Sequence, residues 1–206
     1  MDQILDSSSL YSNPSAQSKD CLVGGLRWST SNLNADSFRN GDKIKIVENA
    51  EEWEELGRKQ EPACCWYRND ILFGATYGRL YNWFAISDAR GLAPVGWRIP
   101  TLADWEKMIV ELGGYPLAGR RMKSKSGWNM MGNGNNQSGF SAMPGGGRGV
   151  FGSFLDLGDY GNWWAANEAS PSDACFVYLT FIDSSIMIRK DGFKSSGFSV
   201  RCVQLL

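Results

Sequence analysis

The side chains able to do chemistry in this chain are five cysteines, scattered carboxylates and no histidine at all. Without imidazole, Ser-His-Asp and Cys-His hydrolysis, the common zinc hydrolase sites and histidine general-base chemistry are all removed. Catalysis would have to rest on carboxylates, Lys, Tyr or Cys. The cysteines, Cys21, Cys64, Cys65, Cys175 and Cys202, are odd in number and include no CxxC pair. That is a poor zinc pattern, and it reads as small buried hydrophobes. Asp156 and Asp159, with Asp173 and Asp183 further on, offer calcium ligands or paired carboxylates. Their spacing fits no calcium loop, and solvated loop acids are the plainer reading. Trp97, Trp105, Trp163 and Trp164 could stack sugars, but a loop-heavy domain needs large anchors and the core is their simpler place. "PGGGRG", residues 144–149, looks like a phosphate cradle but lacks the Lys and following helix of one. It reads as a turn. No metal and no cofactor is expected.

Contact without chemistry is the other possibility, and "ACFVYLTFID", residues 174–183, raises it. A half-buried strand alternates apolar and polar residues. Here Ala174, Phe176, Tyr178 and Ile182 fall on one side, and Cys175, Val177, Leu179 and Phe181 on the other. Either both faces are buried, or one presents apolar groups to a ligand.

The elements that must position these residues are short. Asn49 caps a helix expected near 50–57, with Gly57 near its end; Leu80, Trp83 and Phe84 suggest another over 78–87. "PTLADWEKMIVELGG" is the clearest helix, over 102–112. Thr101 and Asp104 make its capping box. Leu102, Trp105, Met108, Ile109 and Leu112 form its apolar stripe, and Gly113 ends it. "GLRWSTSNL", "DKIKIVEN" and "ACCWYRND" read as extended segments. Strands near 174–182, 186–190 and 197–204 predict a three-strand antiparallel meander at the C-terminus. Fourteen of the 24 glycines lie between Gly113 and Gly161, so that region reads as ordered loops.

The 206 residues suit a single α+β domain over 21–206, with antiparallel sheets, after a flexible, Ser-rich tail over 1–20. That tail has no basic start and no apolar segment, so it is not a secretory signal as written. The expectation is a cytoplasmic or virion-associated protein, or a cell-surface one if a leader is missing. Net charge is −1, with no run of like charge, which argues against nucleic-acid or membrane-surface binding. No apolar run is long enough to span a bilayer, so no membrane insertion is expected.

Several blocks together resemble a known family: "WSTSNLNADSFRNGD", "YGRLYNWFAISDARGLAPVGWRIPTLADWEKM", "LGGYPLAGRRMKS", "SGFSAMPGGGRG", "GNWWAANEA" and "GFSVRCV". In this order they are similar to the Fibrobacter succinogenes major paralogous domain, over about residues 26–203. The resemblance implies a C-type-lectin-like fold related to that of formylglycine-generating enzymes. It extends to the variable proteins of diversity-generating retroelements. In those, a cassette near the C-terminus is rewritten at adenines of Asn codons, and the fold holds the rewritten residues on one ligand-facing surface.

On that basis the ligand-facing region is about 149–196. Leu179, Val200 and Cys202 point inward, while Phe176, Tyr178 and Ile182 point outward as exposed binding groups. The candidate contact residues are Val150, Phe151, Leu155, Asp156, Asp159, Tyr160, Asn162 and Asn167, then Phe176, Tyr178, Thr180, Ile182, Asp183, Ser185, Ile188 and Arg189. The implied partner is an unidentified protein or cell-surface ligand. Rewriting the two adenines of AAC or AAT cannot yield Lys, Met, Trp, Glu or Gln. Cys175, Phe176, Val177, Tyr178, Thr180, Phe181, Ile182 and Asp183 are all permitted types; Met187 and Lys190 are not. One alternative is a family member of fixed specificity on a cell surface or envelope. Another is an oxidase of the formylglycine-generating type, which uses a cysteine pair near the chain end. Here only Cys202, in "GFSVRC", sits in a comparable setting, so no enzyme activity is expected. The Glu-Pro-Asn and Trp-Asn-Asp motifs of sugar-binding C-type lectins are missing.

Overall fold

The computed structural model describes residues 20–206. The expected N-terminal tail lies outside the described residues, apart from Asp20. In chain order the elements are β1 (Asp20–Val23), β2 (Leu26–Ser29), β3 (Lys45–Ile46), α1 (Ala50–Lys59), β4 (Ala63–Cys65), α2 (Leu72–Tyr77), β5 (Leu80–Tyr81), α3 (Trp83–Ile86), α4 (Leu102–Glu111), α5 (Tyr115–Met122), β6 (Gly145–Arg148), β7 (Phe154–Leu157), β8 (Tyr160–Glu168), β9 (Asp173–Thr180), β10 (Met187–Phe193) and β11 (Val203–Leu205).

The helices start where local chemistry starts them. Asn49 Oδ1 accepts from the Glu52 N–H at 2.7 Å to open α1. At α4 the capping box is complete: Thr101 Oγ1 accepts from the Asp104 N–H at 3.3 Å, and Asp104 accepts from the Thr101 N–H at 2.7 Å. Arg98 adds a two-pronged ion pair to Asp104 at 2.5 and 3.0 Å. Burial pushes the Asp104 carboxyl up, but the hydrogen bonds from Arg98 and Thr101 outweigh it and bring its pKa down to about 2. The expected 78–87 helix is cut to Trp83–Ile86, because Leu80 and Tyr81 pair with Cys65 and Cys64 instead. Helix α5 was hidden in the glycine-rich region. Its Gly119 lets the chain at Ser184–Ser185 cross the helix; an added Cβ would lie 2.3 Å from Ser185 O.

The strands form three sheets, ordered β1-β2-β11, β3-β4-β5 and β10-β9-β8-β6-β7. Pairing is antiparallel except between β3 and β4 and at the single Gly146–Gly161 step between β6 and β8. Val203 pairs with Trp28 of β2, so the first and last strands of the domain, β1 and β11, share one sheet on either side of β2. This is the α+β, antiparallel, lectin-like class that the sequence leads one to expect. The C-terminal meander is not three-stranded. Trp53 Nε1 donates to Ser195 O at 2.9 Å, and Lys194 reaches back to Glu168 and Pro171 O. Those bonds turn the chain away after β10. Gly197, Phe198 and Ser199 then make single bridges to Arg148, Tyr81 and Trp163, and β10 is left as a sheet edge.

The main core lies between the inner face of β8–β9 and helices α4–α5. It gathers Trp28, Trp105, Phe140, Trp163, Val177, Leu179 and Ile186. A second cluster holds Tyr81, Trp83, Trp164, Val200 and Cys202. A third, around Trp53, Tyr67 and Leu80, seats α1. Trp105, Trp163 and Trp164 are thus core anchors, and Trp97 is half-buried against the second cluster.

Candidate ligand-contact surface

The register of the five-stranded sheet sorts its side chains. Asn162, Tyr178 and Met187 stand in one row across β8, β9 and β10, and Trp164, Phe176 and Arg189 in the next; Tyr160 faces Thr180. Directly opposite residues share a face. Trp163, Val177 and Ile188, with Gly161 and Leu179, therefore occupy the other face, which is the main core.

Strand β9 is greasy on both sides for two reasons. Cys175, Val177 and Leu179 fill the main core. On the outer side, Ala174 and Phe176 pack into the second cluster, while Tyr178 and Thr180 run out to half-exposure. The outer face is covered at one end and open at the other. Phe176 and Tyr178 are half-buried, unlike the fully outward groups expected. Phe176 lies 4.9 Å from Phe198 and 6.3 Å from Trp164 between ring centroids. Tyr178 continues the row, 6.1 Å from Phe176 and 5.9 Å from Tyr160. Ile182, at 71% exposure, is outward as expected.

At the open end this aromatic row walls a pocket of about 290 Å³. Phe176, Tyr178, Tyr160, Phe198 and Leu155 line it, with Gly147 and Gly149, and with Arg148, Asp156, Asn162 and Ser196 as polar members. "PGGGRG" is a strand and not the turn expected. Gly146 sits at φ 62°, and a Cβ there would lie 2.3 Å from Leu155 O, so only glycine lets β7 close against it. Asn162 Nδ2 donates to Gly146 O at 3.1 Å.

Asp156 stands at φ 65° within β7. Burial, helped by the neighbouring Asp159, holds its carboxyl above the usual range. No ion pair reaches it among the described residues. Asp159 instead accepts from Asn129 Nδ2 at 3.0 Å, which ties the β7–β8 turn to the turn at Asn129–Met131. That second turn presents Met130 and Met131, the latter 94% exposed, beside Ile182 and Asp183 around an adjoining hollow.

The remaining candidates separate. Phe151 is exposed and Val150 half-buried in the β6–β7 connection, and neither lines the pocket. Asn167 is no free contact residue: its Oδ1 accepts from the Leu102 N–H at 2.7 Å and helps to start α4. Ile188 faces Val177 and packs on the main core, so it is not outward. Arg189 is on the outer face, paired with Asp191. Ser185 closes a turn by donating to Asp183 Oδ1. Sequence reasoning missed Phe198, Met130 and Met131. An apolar pair inside the polar run "WNMMGNGNN" was the available signal for the methionines.

The cysteines are poor nucleophiles. Burial raises the thiols of Cys21 and Cys64 to about 11 and those of Cys65 and Cys202 to about 12; Cys175 is also raised. Cys175 and Cys202 lie in different core clusters. Among the described residues no group of three or more His, Cys, Asp or Glu is placed to hold a metal.

The family model of the Fibrobacter succinogenes major domain matches residues 22–204. The chain belongs to this family. No curated protein and no solved structure matches it. In this Fibrobacter succinogenes major domain, two buried arginines of the shared blocks, Arg148 and Arg201, are structural. Arg148, of "MPGGGRG", donates to Val47 O at 2.7 Å, Asn49 O at 2.8 Å and Gly152 O at 3.0 Å, stacked over Trp53. Arg201, of "GFSVRC", donates to Asn32 Oδ1, Ser29 O and Ser141 O over the ring of Phe140. Burial lowers its pKa to about 9. Both spend their donors inside the fold, Arg148 on three backbone carbonyls and Arg201 on two carbonyls and the Asn32 side chain. No helix among the described residues is long and apolar enough to cross a membrane.

Proposed function

We propose that the protein is a non-enzymatic ligand-binding domain whose contact surface is the open end of the outer β8–β9 face with its adjoining turns. The observation that carries this is convergence. Leu155, Asp156, Tyr160, Asn162, Phe176 and Tyr178 are contact candidates on sequence alone, and all six line one aromatic pocket. Pockets of this kind, mostly apolar with a few polar members, are the usual place for a ligand. High-pKa thiols and the absence of histidine weigh against a catalytic role.

In its finer form, the proposal makes this the variable protein of a diversity-generating retroelement. Variation must then be confined to side chains the fold does not need. The locus should hold a second, near-identical copy of the DNA encoding about residues 149–203, with a reverse-transcriptase gene nearby. That copy should read AAC or AAT at Leu155, Asp156, Tyr160, Tyr178, Thr180, Ile182 and Asp183. It should agree with the expressed copy at Cys175, Val177 and Leu179, which lie in the main core. Sequencing the flanking DNA tests this. No second copy, or mismatches spread over all four bases, would favour a domain of fixed specificity. One observation already supports that second reading: exposed Met130, Met131 and Met187 share the surface and cannot arise from Asn codons.

A further inference from the structure

The pocket has a chemical preference, and stating it rests on the reading of this surface as a contact site. Its walls are aromatic and aliphatic: Phe176, Tyr178, Tyr160, Phe198 and Leu155. Of its polar members, Ser196 offers a hydroxyl and Arg148 has its guanidinium bonded within the fold, while Asp156 and Asn162 supply acceptors. Asp156 is an exposed carboxylate at the pocket's edge that no cation among the described residues pairs with, and partial burial together with the neighbouring Asp159 raises its pKa. Asn162 uses an amide N–H on Gly146 O, which leaves its carbonyl oxygen as an acceptor.

The two arginines that border the site are spent. Arg148 lines the pocket, but its guanidinium is held by the Val47, Asn49 and Gly152 carbonyls, and Arg189 is paired with Asp191. An anionic ligand would find no free partner among these and would face Asp156. A neutral apolar ligand would cover Asp156 without compensating it, which costs free energy. A cation on an apolar stem satisfies both features, because aromatic faces attract cations and the carboxylate pairs with them. The volume of about 290 Å³ is at the lower end of ligand pockets, room for one extended side chain and not for an oligosaccharide or a dinucleotide.

We infer that this pocket takes an unbranched alkylammonium group, as at the tip of a partner protein's lysine side chain, with the stem against Phe176 and Tyr178 and the nitrogen at Asp156.

The test uses the full chain and four probes: Nα-acetyl-lysine amide, its neutral counterpart Nα-acetyl-norleucine amide, n-butylammonium and Nα-acetyl-glutamate amide. Binding is followed by aromatic NMR shifts of Tyr160, Phe176 and Tyr178. The lysine probe should bind about tenfold more tightly than the norleucine probe, as a cation–aromatic contact with a carboxylate partner implies. Asp156→Asn should remove that preference, and Asn suits the positive φ there, so the local backbone of β7 survives. Tyr178→Ser should weaken both probes. Butylammonium binding as tightly as the lysine probe would keep the ammonium assignment and point to free amines as the source. Equal binding of lysine and norleucine probes, preference for glutamate, or a preference unmoved by Asp156→Asn would overturn the assignment while leaving the contact-surface reading intact. If none of the four probes shifts these residues, both fail.

Discussion

Val177 and Tyr178 are consecutive in β9 and answer to different demands. Val177 is wholly buried between Trp163 and Ile188, where any change of volume meets close-packed neighbours. Tyr178 stands across the same backbone in an aromatic row whose far side is open. Two residues earlier, Phe176 has the same orientation as Tyr178 but is roofed by Phe198. Facing outward is therefore not the same as being free. The freedom to vary grows along one face of one strand, from Ala174 to Thr180, as the cover of Phe198 and Trp164 falls away.

That gradient sets the order of expected effects. Leu179→Ala, in the main core, should cost about 2–5 kcal/mol, read as a shift of the urea midpoint at constant slope. Equal loss at Tyr178 would break the comparison. Phe176→Ser should cost about 1–2 kcal/mol, from half its burial and its contacts with Trp164 and Phe198. Tyr178→Ser and Ile182→Ser should each stay within about 0.5–1 kcal/mol, as surface changes do.

The carboxylates sharpen the same contrast. Asp104 serves the scaffold, and its folded pKa of about 2 lies below the unfolded value of about 3.9. Its stabilisation is present above about pH 4 and is lost as pH falls toward 2. Asp156 serves the pocket, and its pKa is raised. It opposes folding once ionised, so Asp156→Asn should be neutral to slightly stabilising at pH 7 and without effect once the acid is protonated. Acid titrations of the wild type, Asp104→Asn and Asp156→Asn, followed by melting, separate the two.

What could be seen from sequence was what local chemistry dictates. Helix α4 carries its capping box and apolar stripe within a dozen residues, so nothing distant had to be known. The two-sided hydrophobicity of β9 was visible too, but not the reason, because Phe198 arrives from a segment that local pattern assigns to a third meander strand. Helix α5 was obscured by the Gly119 that its crossing with Ser184–Ser185 requires. Asn167 looked like a free polar residue because the N–H it receives is 65 residues away, at the start of α4. The order β10-β9-β8-β6-β7 depends on a parallel step between two glycines, which no periodicity announces.

The central claim is that β9 divides side chains the fold requires from side chains it does not. Two libraries test it most directly. In one, Tyr160, Tyr178, Thr180 and Ile182 are randomised together; in the other, Cys175, Val177, Leu179 and Ile188 are. Cooperative thermal unfolding is scored for members of each. The account predicts that most members of the first library still melt cooperatively and that few members of the second do. Comparable losses in both would contradict it.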